Sequence, residues 1–275
     1  MSWSADGSAD PMAAKLDSRL LLRAYASGLF PMADSHNAED IFWVEPRRRG
    51  ILTIDGFHLP RSLRKVLRQE RFQHSHDLAF DAVVRNCAAF APGREESWIN
   101  APIYQAYLRL FQDGHAHSIE TWDHQGRLVG GLYGVRLGAA FFGESMFSRV
   151  TDASKAALAH LVARLRVGGF LLLDTQFLTS HLARFGGVEI SRAAYATQLT
   201  QAIQRDADWQ RLDALAGLGA PVADRMPAGR NPAVDYSLDF ASSAMRVSEL
   251  LLPPALLAGA GPSGKCIVQL LSQTS

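Results

Sequence analysis

Two short stretches combine residue types that could do chemistry. In Phe141-Phe142-Gly143-Glu144-Ser145-Met146-Phe147-Ser148-Arg149, a carboxylate sits between a glycine and a serine, with aromatic and Met residues on both sides. Farther on, Phe170-Leu171-Leu172-Leu173 runs into Asp174-Thr175-Gln176, polar groups at the end of an apolar strand. Apolar runs build core, and a bare carboxylate buried in one is costly. Glu144 therefore has to be paired, hydrogen-bonded or in use. One reading is a structural network tying two strands together. The other is a polar site beside an apolar pocket formed by Phe141, Met146 and Trp98, which would accept a bulky apolar group and keep carboxylates ready for a cation.

Other chemistries find less support. His115 and His117, and again His74 and His76, are two apart, so each pair shares one face of a strand. No third ligand has suitable spacing, and a metal site is set aside in favour of ordinary hydrogen-bonded histidines. Gly130, Gly131 and Gly134 fall within a strand pattern, which reads as a bulge or close strand packing. A phosphate cradle needs a glycine loop opening onto a helix, and Ser148-Arg149-Val150 has no glycine. That disfavours a CoA donor. No Gly-x-Ser-x-Gly elbow occurs, which argues against a serine nucleophile. Arg61, Arg64, Lys65, Arg68 and Arg71 gather on one helical face opposite Leu63, Val66 and Leu67, with only Glu70 interrupting the series. The face is either simply solvated or binds phosphate.

The elements that must position these groups follow from spacing. Leu16 to Ala26 has a helical pattern stopped at Gly28, and the short extended pieces Leu29–Met32, Ile41–Val44 and Arg49–Leu52 follow. A helix is expected from Leu59 to Arg71, a strand from Phe72 to Leu78, and helices through Phe80–Cys87 and Ile103–Phe111. Ser118–Trp122, Leu128–Val135 and Ala139–Met146 read as antiparallel strands, the first two joined by a turn at Asp123-His124-Gln125-Gly126. Thr151-Asp152 opens a helix with a Leu158, Leu161, Leu165 stripe, followed by a strand over Phe170–Leu173 and a helix from Leu178 to Phe185. A mixed sheet with helices packed on it, an α+β arrangement, is the expected fold. The expected division is a loose leader over 1–15, a small α+β unit over 16–60, a catalytic domain over 61–205 and a weakly patterned tail over 206–275.

Totals set the frame. With 275 residues, 48% hydrophobic and 20% charged, the composition is that of a globular protein with a sizeable core. A net charge of +1 carries no global signal for nucleic acid, so any basic surface is local. Cys87 and Cys266 make no disulfide framework, and Cys87 reads as a buried thiol of a reducing compartment. The first residues carry Asp6 and Asp10 and no apolar run, unlike a secretory signal, and no run reaches membrane-span length. A cytoplasmic monomer without metal or cofactor is expected.

Taken together, the segments become specific. Tyr25-Ala26-Ser27-Gly28-Leu29-Phe30-Pro31-Met32, Trp43-Val44-Glu45-Pro46-Arg47 and Trp98-Ile99 come first. Gly114-His115-Ala116-His117-Ser118-Ile119-Glu120, Val129-Gly130-Gly131-Leu132-Tyr133-Gly134-Val135, Gly143-Glu144-Ser145-Met146-Phe147-Ser148 and Asp174-Thr175-Gln176 follow. In these the chain resembles the bacterial leucyl/phenylalanyl-tRNA–protein transferases, in unbroken order from about Leu20 to Leu199. The resemblance implies a small N-terminal domain, a GNAT-like catalytic domain, and transfer of Leu or Phe (less readily Met) from aminoacyl-tRNA to proteins beginning with Arg or Lys, marking them for degradation. It implies no CoA, because the donor is an aminoacyl adenosine.

The reaction is aminolysis of an ester, which needs a neutral amine, a positioned carbonyl and an exit for a proton. The resemblance places Asp174 and Gln176 at the reaction, with the Asp polarising the Gln toward the attacking amine. A neutral amide is a very weak base, so Gln176 is expected to orient the amine while the proton leaves elsewhere, for instance by the adenosine's ribose hydroxyl. Glu144 either meets the acceptor's cationic residue or keeps the site polar. Trp43, Trp98, Phe141, Gly143, Met146 and Leu161 are expected around the aminoacyl adenosine, and the Arg61–Arg71 face against the tRNA backbone. Two other classes stay open: an acyltransferase using a CoA thioester, and a non-catalytic tRNA-binding module.

Overall fold

The computed structural model describes residues 16–89, 96–215 and 261–273. The expected leader, 1–15, lies outside them, as do 216–260 of the expected tail. The fold is α+β. Helix α1 (Ser18–Ala26) ends at Gly28, whose φ of +80° is the left-handed stop that glycine takes without strain. A two-stranded antiparallel ribbon, β1 (Phe30–Met32) and β2 (Phe42–Val44), follows.

Seven strands make the main sheet. They are β3 (Arg48–Leu52), β4 (Gln73–His76), β5 (Ala116–Trp122), β6 (Leu128–Leu137), β7 (Ala140–Ser148), β8 (Leu172–Gln176) and β9 (Gly187–Ser191). Their order is β4-β5-β6-β7-β8-β3-β9, antiparallel throughout except for the parallel β7–β8 pair. A parallel pair needs a long crossover, and α5 (Ala153–Gly168) supplies it.

Side-chain alternation sends successive strand residues into two helical layers. One core joins α1, α3 (Phe80–Ala88), α4 (Ala101–Gln112) and α7 (Arg192–Ile203) to the sheet through Tyr25, Val83, Tyr107, Tyr133, Phe142 and Tyr195. The opposite core joins α2 (Arg61–Arg68), α5 and the helix Gly264–Ser272 to it through Leu63, Leu132, Phe141, Leu161 and Ile267. Local signals agree where they are strong. The Asn100 side chain caps α4 by accepting from the Ile103 amide at 3.0 Å, with Pro102 in the first turn.

Several elements differ from the sequence reading. Arg48–Leu52, expected in the small N-terminal unit, lies inside the large sheet between β8 and β9. Helix α2 stops at Arg68, and Glu70 adopts a φ of +50°, so Arg71 falls in the turn beyond it. The expected strand over Phe170–Leu173 starts at Leu172 and continues through Asp174 to Gln176, which makes the polar triplet part of the sheet. The helix expected over 178–185 is a single turn, α6 (Ser180–Ala183), capped by Thr179. Beyond it β9 and α7 form an edge strand and a helix that carry too little apolar periodicity to stand out. The tail has a structural part. Trp209 is buried, α8 (Arg211–Leu215) packs on α5, and the helix Gly264–Ser272 packs on α2 and α5.

Candidate active site

The two stretches singled out by their chemistry meet on adjacent parallel strands. Gly134 pairs with Gly143 but Tyr133 pairs with Ser145, so Glu144 is the extra residue of a bulge in β7. The bulge requires Gly134, where a Cβ would come within 2.3 Å of the Phe142 carbonyl oxygen. Residues two apart normally share a face. Here Glu144 turns into the α1/α4 layer while Met146 packs with the α5 layer.

Glu144 is buried and met by donors from three elements. Tyr25 Oη of α1 donates to Oε1 at 2.8 Å, Tyr107 Oη of α4 to Oε2 at 2.8 Å, and Gln176 Nε2 of β8 to Oε2 at 2.9 Å. The two hydroxyl oxygens also lie 2.8 Å apart. Three contacts among two hydroxyls and a carboxyl need three protons, and the hydroxyls carry one each. A third is present only when the carboxyl is protonated; one hydroxyl then accepts from it, and the triangle closes head to tail. Burial pushes Glu144 up from its ordinary 4.5 to about 7, against the donations from Tyr25, Tyr107 and Gln176, which pull it down. Burial likewise raises both tyrosines well above their usual range, so they remain donors. The cluster thus sits between its charged and neutral forms near neutral pH.

Asp174, fully buried, is held from a different side. Arg49 of β3 donates from Nε to both carboxylate oxygens at 2.9 and 3.0 Å, and from a terminal nitrogen to Oδ2 at 2.6 Å. Tyr195 Oη of α7 donates to Oδ2 at 2.6 Å, and the Gln176 backbone N–H to Oδ1 at 2.7 Å. Desolvation would lower the Arg49 pKa, but its bonds to Asp174 outweigh that and raise it. Burial, with the Asp174 charge beside it, raises the Tyr195 phenol. The remaining Arg49 nitrogen donates to the Gly28 carbonyl at 2.9 Å, and the rings of Phe30 and Tyr195 lie 4.7 and 4.6 Å from its guanidinium carbon. Asp174 thus touches Gln176 through the backbone, while the Gln176 side-chain amide belongs to Glu144. Gln176 itself sits at φ +61°, a left-handed conformation that costs a non-glycine residue about 1–2 kcal/mol.

The remaining expected site residues divide between the layers. Trp43 and Trp98 are half-buried against the α1/α4 core. Gly143 lies in the bulge, beside the Asp174 carbonyl. Phe141 and Leu161 are buried in the opposite core, where Phe141 stacks on Trp209 at 5.5 Å, and Met146 packs at that core's edge. Phe142, not Phe141, neighbours the Glu144 cluster, with its ring 4.8 Å from that of Tyr25. A cavity of about 220 Å³ opens behind Arg49 and Tyr195, rimmed by the Glu45–Arg192 ion pair, and not at Glu144 or Gln176. Strain and convergent donors gather instead at Gln176 and Glu144. On α2, Arg61, Lys65 and Arg68 are exposed and Arg64 is half-buried. Of the histidines paired in the sequence, His76 bridges Asp77 and Asp213, His117 bonds Asp77, and His74 Nδ1 lies 3.4 Å from the Thr121 hydroxyl. Among the described residues, no three His, Cys, Asp or Glu side chains are grouped to hold a metal ion, and no helix is long and apolar enough to cross a membrane.

Tyr25, Tyr107, Tyr195 and Arg49 were missed as site residues. Tyr107 lay in a predicted buried stripe, where its hydroxyl demanded a partner. Arg49 ends the run Arg47-Arg48-Arg49 before Gly50, and nothing in the sequence sets it apart from its two neighbours.

Comparison with known proteins is consistent across the chain. Residues 51–200 match the family model described as leucyl/phenylalanyl-tRNA protein transferase, and residues 14–47 the model of that family's N-terminal domain. A leucyl/phenylalanyl-tRNA–protein transferase of Rhizorhabdus wittichii is 52% identical, with 94% of this chain and 99% of that protein covered. One from Zymomonas mobilis is 48% identical over 94% of this chain and 98% of its own length. One from Paramagnetospirillum magneticum is 58% identical over 71% of this chain and 93% of its own length.

Proposed function

The chain belongs to the leucyl/phenylalanyl-tRNA–protein transferases, a family of aminoacyltransferases, and from that premise we propose its substrates and the roles of its residues. It transfers Leu or Phe, less readily Met, from aminoacyl-tRNA to the N-terminal α-amine of proteins that begin with Arg or Lys, which marks them for degradation through their new N-terminus.

The observation that carries the residue assignment is the bond from Gln176 Nε2 to Glu144. With its nitrogen committed to the carboxyl, the amide turns its oxygen away as an acceptor. An attacking α-amine donates one N–H to that oxygen, which aims its lone pair at the ester carbonyl. The nitrogen adds to the carbonyl carbon, and the bond from that carbon to the ribose oxygen then breaks. The proton lost by nitrogen ends on the departing ribose oxygen. Neither Gln176 nor Asp174 has to accept it. Asp174, enclosed by Arg49, Tyr195 and the Gln176 backbone, acts by position. Glu144 holds the Gln176 amide and, when ionised, favours a cationic acceptor residue nearby.

Apolar residues choose Leu or Phe: Trp43 and Trp98 on the α1/α4 side of the sheet and Met146 on the α5 side flank the bulge at Gly143, with Phe141 and Leu161 in the core behind Met146. Such a pocket separates one side chain from another by about 1–3 kcal/mol per methylene. The exposed cations of α2 meet the tRNA backbone. Incubation with labelled Leu-tRNA and an Arg-initiated peptide tests the proposal. Label should appear at the peptide N-terminus, and its absence with folded protein would refute the reading.

A further inference from the structure

We infer that Arg49, together with Tyr195, is a positioning residue for Gln176: it sets the backbone of that residue, through Asp174, in the conformation that presents the amide to the acceptor. The inference rests on the transferase reading above and extends it to residues outside the two stretches that carry the chemistry.

Gln176 has an unfavourable backbone conformation, and such a residue keeps it only when its surroundings over-determine it. Two features do so here. The Gln176 N–H donates to Asp174 Oδ1 at 2.7 Å, which closes a tight side-chain-to-backbone turn. Opposite it, Gly50 lets the following chain close in: a Cβ on Gly50 would stand 2.6 Å from the Phe177 carbonyl carbon and the Leu178 nitrogen. The turn is therefore only as fixed as the Asp174 carboxylate.

That carboxylate has few ways to move, because Arg49 grips both of its oxygens and Tyr195 caps one. The guanidinium is itself held between two rings and tied to the Gly28 carbonyl at the end of α1. A planar fork of donors fits this task and an ammonium does not. Lysine keeps the charge but cannot hold two carboxylate oxygens and a carbonyl at once. Adjacent residues of β3 thus fix Gln176 from two directions, Arg49 through the carboxylate and Gly50 by having no side chain.

A double-mutant cycle separates this from ordinary structural support. Transfer from Leu-tRNA to an Arg-initiated peptide is measured for Arg49→Lys, Gln176→Ala and the combination. Arg49→Lys should lower kcat by about tenfold or more, with KM for Leu-tRNA within about twofold. In the Gln176→Ala background, the same change should alter the residual kcat by less than about twofold. Losses that multiply, or a wild-type kcat in Arg49→Lys, would overturn the inference. If Arg49→Lys does not fold, Tyr195→Phe, which removes one donor and keeps the ring, takes its place in the cycle.

Amide hydrogen exchange supplies a readout independent of turnover. Arg49→Lys should speed exchange at the Gln176 N–H by about tenfold or more while Leu132 in β6 stays unchanged. Equal acceleration at both amides would mean a general loss of stability and would also overturn it. Absence of transfer by the wild-type protein would remove the transferase reading instead, and the exchange result would still decide whether Arg49 holds Gln176.

Discussion

Among the described residues are two buried Arg–Asp pairs, and they are used differently. Arg49–Asp174 joins β3 to β8 at 2.6 Å, and Arg164–Asp213 joins α5 to α8 at 2.6 Å, with both arginines enclosed. Each pair must offset the cost of desolvating two charges, and the extra hydrogen bonds around it do so. The difference lies in where those bonds lead. Asp174 passes its remaining capacity to the backbone of a strained residue. Asp213 meets His76, and Arg164 takes the Trp209 carbonyl, so this pair fastens Trp209 over Phe141. The first pair sets a geometry; the second attaches a segment.

The comparison can be broken by separating activity from stability. The largest effect is expected from Gln176→Ala, which should cut kcat by about 10²-fold or more with the thermal midpoint nearly unchanged and tRNA affinity by filter binding intact. Arg164→Met should do the converse. Leaving Asp213 without its partner costs about 3–5 kcal/mol, a drop in midpoint of roughly 10 °C, while kcat at low temperature stays within about twofold. A kcat loss in Arg164→Met to match that of Gln176→Ala would erase the distinction between the two pairs.

A third expectation concerns pH. Glu144 is raised to about 7, so in the window from 4.5 to about 7 the folded protein binds a proton that the unfolded chain has released. Stability at this site therefore falls as pH rises through that window. Glu144→Gln should melt higher than wild type at pH 8, with the gap closing toward pH 5. The wild-type kcat should rise with pH around 7, and that limb should vanish in Glu144→Gln. Any dependence left, centred near the ordinary ~8 of an α-amine, belongs to the acceptor. The smallest effects are expected away from both pairs. Arg61→Gln, Lys65→Gln or Arg68→Gln should each raise KM for Leu-tRNA a few-fold and lower the salt slope by about one, with kcat unchanged.

Legibility in the sequence followed the same division. Glu144, Asp174 and Gln176 stood out because polar groups interrupt apolar runs, and the strong periods of α4, α5 and β5–β7 placed their scaffold. Their partners were hidden because a tyrosine in an amphipathic stripe reads as core until its hydroxyl finds an acceptor far along the chain. Tyr25 and Tyr107 lie 119 and 37 residues from Glu144. Arg49 hid among Arg47 and Arg48, from which only its buried position separates it. Alternation could not tell Phe141 from Phe142, since the face each takes depends on the sheet's registration. Edge strand β9 is largely exposed, and its alternating Val188 and Ile190 make too short a pattern to stand out.

The bulge in β7 bears on how this chain can vary through evolution. Beyond Glu144, Met146 still faces the α5 side and Phe147 the α3/α4 side, level with Leu132 and Gly131 of β6, because the bulge absorbs the one extra residue. Losing Glu144 would let β7 close into regular alternation with those destinations unchanged, so the sheet itself does not need the extra residue. What a single-codon deletion at Glu144 removes is the carboxyl, not the layering. The length of this segment should therefore be held by the Glu144 contacts and not by the sheet.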